Sequence, residues 1–244
     1  MLASRYFEAI HQLLKKLEEN QIKKIYEAAE LVFNVIKNDG IIHVFGTGHS
    51  HMLAEEPFYR AGGLVPINPI LETSLMLHEG ALKSSQMERL EGYAEILAEH
   101  HKICSKDMII ISSNSGRNAV PVEMGLAARK RGLKVVAITS LAHSQKVKSR
   151  HSREKRLFEV ADIVIDNCGI PGDAILEVQG LAQRIAATST VTGVVIINTI
   201  IAEAIERLLM EGITPPIFQS ANSDGGEQLA QRLVQNMNGR IKRF

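Results

Sequence analysis

The sequence predicts a doubly wound, parallel α/β sheet. Three observations carry that expectation. Short β-rich runs alternate with longer helix-like runs from about residue 40 onward. Most of those runs are apolar without strict alternation, as strands are when both sheet faces are covered. Polar, hydroxyl-rich turns follow several of them, at the ends where an open parallel sheet holds its ligands.

The elements follow in order. Residues 1–38 read as helical: Leu13, Leu14 and Leu17 form one apolar stripe, and Ile25, Ala28, Ala29, Val32, Phe33 and Ile36 another at the same spacing. Asn38-Asp39-Gly40 stops the helix and turns the chain. Strands are expected at 41–45, 64–67, 108–112, 134–139 and 162–166, and helices near 50–60, 86–101, 119–131, 174–187 and 190–211. The β-branched run 191–201 reads as a buried helix because it continues into Glu203, Glu206 and Arg207. Residues 143–156 carry six basic residues against one acid and read as an exposed excursion. From Thr214 the chain has a Pro-Pro turn, a polar loop at 220–226 that reads as a lid or a surface turn, and a short helix. The expected division is an N-terminal helical extension (1–38), the α/β domain (39–213) and a C-terminal tail (214–244) packed on that domain or on a partner subunit.

Composition removes several classes. A chain of 244 residues supports one α/β domain with extensions. A net charge of +1 supplies no general field for nucleic acid or a membrane surface, and the basic excursion is short and poor in aromatics. The apolar region 191–205 is interrupted by Thr192, Gly193, Asn198, Thr199 and Glu203, short of the roughly 20 apolar residues a spanning helix needs. The N-terminus has charges where a signal peptide needs an apolar stretch. The two cysteines, Cys104 and Cys168, suggest neither a disulfide framework nor a zinc knuckle. The expectation is a cytoplasmic protein with no nucleic-acid or membrane partner.

After the first strand come Gly46-Thr47-Gly48-His49-Ser50, after the third Ser112-Ser113-Asn114-Ser115-Gly116-Arg117-Asn118, and after the fourth Thr139-Ser140. Two of these turns open helices, whose first N–H groups lack intrahelical partners and sit at the positive dipole end. With the hydroxyls added, they suit a phosphate without needing a lysine. Either turn alone is better explained by tight-turn glycines or an N-cap; both on successive strand ends favour phosphate. There is no GxxxxGK[ST], and the dinucleotide GxGxxG is broken by His51.

Ser113-Asn114-Ser115-Gly116-Arg117-Asn118 resembles the S-x-S-G-x-T phosphate loop of sugar isomerase (SIS) domains, and Phe45-Gly46-Thr47-Gly48-His49-Ser50 resembles their first loop. The similarity covers roughly residues 35 to 210 and is strongest to single-domain bacterial SIS proteins labelled phosphoheptose isomerases. It implies a three-layer α/β/α sandwich with a five-stranded parallel sheet, flanked here by N- and C-terminal helices. It also implies a phosphosugar ligand, no organic cofactor, and a homodimer or larger assembly. It places Thr47, Gly48, Ser50, Ser113, Asn114, Ser115 and Asn118 around the phosphate, with Ser189 of Thr188-Ser189-Thr190 as a further contact. Asn118 stands where the family has Thr, and its amide can still donate.

Isomerases of this kind move a proton between neighbouring carbons through an enediol, which takes a general base and often a second acid–base group. Glu55-Glu56 resembles the Ala-Glu-Glu of phosphoheptose isomerases, and by carry-over Glu56 is the base. The spacing from the loop is shorter by four residues, about one helical turn. His78-Glu79-Gly80-Ala81 resembles a Glu-Gly-Ala stretch of N-acetylmuramic acid 6-phosphate etherases, which makes Glu79 a second candidate, though Leu82-Lys83 replace that family's acidic pair. Glu56 and Glu79 would serve isomerisation or ether elimination. His143 or His151 in the basic excursion is the candidate ring-opening group, with His151 ranked first, and Arg150 and Arg153 are candidate clamps for an acidic substituent or a phosphate. His49, His51 and His78 are poorly spaced to chelate, so no metal is expected. His100-His101 read as the exposed end of a helix. The leading function is an aldose–ketose phosphosugar isomerase. The alternatives are an amino-sugar phosphate etherase or lyase, and a phosphosugar sensor without turnover.

Overall fold

A computed structural model describes residues 1–220, 222–237 and 239–244. Five strands, β1 (Ile42–Gly46), β2 (Ile67–Ile70), β3 (Met108–Ser112), β4 (Lys134–Thr139) and β5 (Ile163–Asp166), form one sheet in the order β2-β1-β3-β4-β5. Every neighbouring pair in it is parallel. The fold is a three-layer α/β/α sandwich. Side chains alternate across the strands, yet both faces are apolar. Ile42, Val44, Met108, Ile110, Val136 and Ile138 join one core cluster, and Phe45, Ile109, Ile111, Val135 and Ala137 join the other. Two covered faces explain the unbroken apolar runs.

The first face is covered by α1 (Leu2–Lys37) and α8 (Ser189–Met210). Buried Leu13, Leu17, Ile25, Ala28, Ala29, Val32 and Phe33 recur at helical spacing along α1. The second face carries α4 (Tyr93–His100), α5 (Ala119–Lys130) and α7 (Leu157–Val160). Short helices α2 (Met52–Glu55), α3 (Ala81–Met87) and α6 (Leu141–Ser144) sit in the connections. No helix among the described residues is long and apolar enough to cross a membrane. After an isolated antiparallel bridge between Leu64 and Ile217, the tail carries α9 (Gly226–Asn236). The tail packs on its own chain: Val65, Phe218 and Ala230 share a cluster, and Phe58 stacks on Phe244 at 5.2 Å. Of the polar loop 220–226, Ala221 lies outside the described residues.

Four expectations change. The helix expected at 174–187 is instead a hairpin of β6 (Ala174–Leu176) and β7 (Ile185–Ala187), paired antiparallel. Gly180, at φ +89°, sits in its turn region, in a left-handed conformation that a right-handed helix does not take. The single helix expected at 86–101 is two, α3 and α4, separated by Gly92 at φ +84°. The second strand lies three residues later than expected, at the sheet edge, where Pro69 costs no ladder hydrogen bond. His101 is not exposed: it is buried and joins a polar chain inside the second face. There Asn68 Nδ2 donates to His43 Nδ1 (2.8 Å) and His101 Nδ1 (3.2 Å), and His43 Nε2–H donates to Asp107 Oδ2 (3.1 Å).

Candidate functional site

From β1 the chain passes to β2 on one side and then to β3 on the other, so the strand order reverses between β1 and β3. A crevice opens beyond the carboxyl ends of strands at such a point. Gly46 pairs with Ser112, which sets Thr47 and Ser113 side by side on that edge. Both are buried. The chain turns back so tightly after β1 that a Cβ on Gly46 would stand 2.3 Å from the Ser50 carbonyl oxygen.

The second loop is held from outside and left open within. Ser113 Oγ accepts from Gly116 N–H (3.2 Å), and the Gly116 carbonyl accepts from Leu157 N–H (2.8 Å). The Asn114 carbonyl accepts from Ser140 N–H (3.1 Å) and Thr139 Oγ1 (3.2 Å), and Asn114 Oδ1 accepts from Asn167 Nδ2 (2.9 Å). The N–H groups of Asn114, Ser115, Arg117 and Asn118 find no acceptor among the described residues. Unpaired N–H groups around a left-handed residue make a concavity that binds anions. Ser115 is half-buried and its hydroxyl has no partner among the described residues. The start of α5 adds less than the sequence suggests, because Val120 N–H donates to the Glu88 carbonyl (3.0 Å) and Pro121 has no N–H. The loop itself, rather than the helix start, carries the anion-binding capacity.

Gly116, at φ +58°, makes this shape. An added Cβ would lie 2.9 Å from Ser144 Oγ and 3.3 Å from Leu157 Cβ. Gly116→Ala is expected to destabilise the fold by ~1–2 kcal/mol from the left-handed backbone alone and to abolish thermal stabilisation by phosphorylated sugars. Stabilisation equal to wild type would contradict the role given to the loop.

The other expected residues divide. Gly48 and the half-buried Ser50 lie on the first loop at the crevice. Thr47 is there too, but its one hydroxyl proton goes to Glu88 Oε2 (2.8 Å), so it does not face a ligand as a free donor. Asn118 Oδ1 accepts from Arg150 Nη1 (3.0 Å), which leaves its NH₂ to donate. Ser189 is committed elsewhere: its Oγ donates to Asp173 Oδ2 (2.6 Å) and its N–H to Asp173 Oδ1 (2.8 Å), so Asp173 already occupies the start of α8. Glu56 is paired with Arg60 and accepts from Asn198 Nδ2 (3.0 Å) on α8. Glu79 is exposed and bonded to Lys83 Nζ (2.7 Å), and that bond, with help from Thr73, holds its carboxyl below the usual range. Neither acid is hydrogen-bonded to a residue of the two loops. His51 lies 3.7 Å from Glu55 and meets His78 edge-on at 5.3 Å, while His49 is exposed.

His151 also lies outside the crevice. It is buried, with Nε2 3.5 Å from Glu123 Oε1, and its Nδ1 accepts from Arg153 N–H (3.2 Å). Glu91, Glu123 and His151 bring ligand-type atoms within 4.8 Å of one another beside a cavity of about 440 Å³. Their bonding is that of a clasp. Glu123 accepts Gly92 N–H with both oxygens (2.9 and 2.8 Å), and Glu91 accepts Ser152 N–H and Oγ (both 2.6 Å). A metal on Nε2 would move the ring proton to Nδ1, against the Arg153 N–H. The cluster ties the 88–92 turn and the basic excursion to α5.

Glu88, Arg89 and Arg117 were not singled out in the sequence, and all three border the crevice. Arg117 Nε is buried and has no partner among the described residues. Partial burial, then the like charges of Arg117 and Arg89, push the Arg150 guanidinium below its usual range, opposed by Glu88. Burial and then Arg117 likewise lower His143, opposed by Asp173. The rim is thus cationic, with Glu88 and Asp173 as the acids that oppose its charge. Arg117 lies inside the serine-rich loop and could have been read there; Glu88 carried no motif.

The sequence profile of the SIS domain matches residues 5–140. A UPF0309 protein of Listeria innocua is 46% identical over 240 residues, covering 98% of this chain and 97% of its own. A UPF0309 protein of Thermoanaerobacter pseudethanolicus is 46% identical over 241 residues, covering 97% and 98%. Among solved structures, phosphoheptose isomerase of Neisseria gonorrhoeae superposes with a TM-score of 0.56 at 16% identity, covering 84% of this chain and all (100%) of its own. The NanR protein of Vibrio vulnificus, complexed with ManNAc-6P, superposes with a TM-score of 0.54 at 14% identity, covering 98% and 71%. These two structural likenesses bear on the fold.

Proposed function

The chain belongs to the SIS-domain family, and on that footing we propose that it binds a phosphorylated sugar between β1 and β3 and interconverts its aldose and ketose forms by carboxylate-mediated proton transfer. The observation that carries the reading is the set of unpaired N–H groups around Gly116, at the point where strand order reverses. In this proposal Ser113, Asn114, Ser115 and Asn118 hold the phosphate from one side and Gly48 and Ser50 from the other. Thr47 acts through Glu88 rather than on the phosphate. The cationic rim of Arg117 and Arg150 adds long-range attraction for an anionic ligand.

The test is a panel of sugar phosphates, scored by thermal shift and then by exchange with solvent deuterium of the C2 proton of an aldose or a C1 proton of a ketose. Ser115→Ala is expected to weaken binding about tenfold, the loss of roughly one charge-assisted hydrogen bond, with little change in the stability of the free protein. Stabilisation by phosphosugars without exchange or product would make the protein a sensor, and loss of a C3 substituent would make it a lyase. No stabilisation by any phosphosugar would refute the reading altogether.

A further inference from the structure

We propose that Glu88, rather than Glu56 or Glu79, is the carboxylate that moves the proton in this site; the assignment rests on the isomerase reading above. Glu88 is the C-cap of α3, and its Oε2 accepts from Thr47 Oγ1 (2.8 Å), directly after β1. Its Oε1 accepts no hydrogen bond among the described residues, so one oxygen is fixed and the other is free for a carbon acid.

The turn that carries Glu88 is pinned along its length. Glu88 N–H donates to the Ser84 carbonyl (3.0 Å) and the Glu88 carbonyl accepts from Val120 N–H (3.0 Å). At the far end Gly92 N–H is held by Glu123, and Glu91 by Ser152. His151 braces Glu123. Held this way, a carboxylate keeps its position without help from the ligand. The competing acids lack such a setting. Glu56 is neutralised by Arg60, Glu79 by Lys83 at the surface, and Glu72 Oε1 accepts from Ser74.

The chemistry balances with water as the only other participant. Glu88 takes the proton from C2 of the aldose, and the C–H electron pair becomes the C1=C2 double bond. O1 takes a proton from water, which gives the enediol. Glu88 then returns its proton to C1, the O2 hydroxyl proton goes to water, and C2=O forms. C2–H and O2–H are broken, C1–H and O1–H are made, and no oxidant is needed. Arg150, beside Glu88 and tied to Asn118, is placed to stabilise the negative oxygen of the enediolate.

The experiment uses the full chain with arabinose 5-phosphate, fructose 6-phosphate and sedoheptulose 7-phosphate in deuterated buffer, and reads exchange at C2 of the aldose and at C1 of the two ketoses. Glu88→Gln keeps an acceptor for Thr47, so the ligand-induced thermal shift is expected to survive while exchange falls ~10²–10⁴-fold. Glu56→Gln and Glu79→Gln are expected to keep exchange within about tenfold of wild type. Exchange surviving in Glu88→Gln, with wild type active, overturns this assignment alone. A wild-type protein that is stabilised but never exchanges overturns the isomerase reading, and this assignment with it. If Glu88→Gln lacks a cooperative thermal transition, Glu88→Asp decides. One methylene of retraction should cut exchange tenfold or more with the thermal shift intact, and undiminished exchange overturns the assignment.

Discussion

Replacing Asp107 by alanine is expected to lower the unfolding free energy by about 3–5 kcal/mol, because it takes the shared acceptor from several buried donors, each costing about 1–3 kcal/mol when left unsatisfied. Asp107 is buried and meets five groups. Its Oδ1 accepts from Ile41 N–H (2.8 Å), and its Oδ2 accepts from His43 Nε2 and from Cys104 N–H (both 3.1 Å) and Sγ (3.2 Å). Arg240, from the C-terminal tail, lies 3.8 Å from Oδ1. Burial alone would push the carboxyl up, but His43, Ile41 N–H and Cys104 together hold it below its usual range. Alanine leaves these donors without their acceptor. Thermal melting should fall by about 10 °C or more. A drop of a degree or two would show that these hydrogen bonds contribute little in this core.

The same network should make the protein sensitive to mild acid. Burial first, then the positive charge of Lys242 and the neighbouring His43 and His100 rings, push His101 from 6.5 down to about 4. Between those values the unfolded chain binds a proton that the folded one refuses, so stability rises with pH. The contribution is complete above about pH 6.5 and is lost as pH falls towards about 4, an effect of about 3 kcal/mol. His101→Gln cannot titrate, and its amide oxygen can accept from Asn68. Melting temperatures at pH 7.5 and 4.5 should therefore differ less in His101→Gln than in wild type. Equal pH slopes would remove His101 as the cause. Carboxylates shared by both proteins cancel in that comparison.

Much of the architecture was legible. The positions of β3 and β4 and the extents of α5 and α8 match the pattern of apolar runs, because each run is long and flanked by clear turns. The hairpin at 174–187 was not legible: AILEVQGLAQRIAA has helical spacing, and pairing of Ala174 with Ala187 overrode it. The two loops at the crevice were visible as Gly-Thr-Gly and Ser-Asn-Ser-Gly. The state of their groups was not. Thr47 spends its proton on Glu88, 41 residues away in sequence, and Ser189 spends its own on Asp173, 16 residues away. Reading 86–101 as one helix hid the turn at 88–92, although Gly92 was there to mark it.

By itself the sequence determined the five-stranded parallel sheet, the long first helix and the two hydroxyl-rich turns at its carboxyl edge. Those follow from local patterns, in which apolar period, glycine and proline act within a few residues. Only the tertiary structure decided which acid stands at the crevice, that His151 braces a turn, and that His43, Asn68, His101 and Asp107 join. Hydrogen-bond partners and charge neighbours depend on which distant segments the packed core brings within about 3 Å, and no local pattern encodes that.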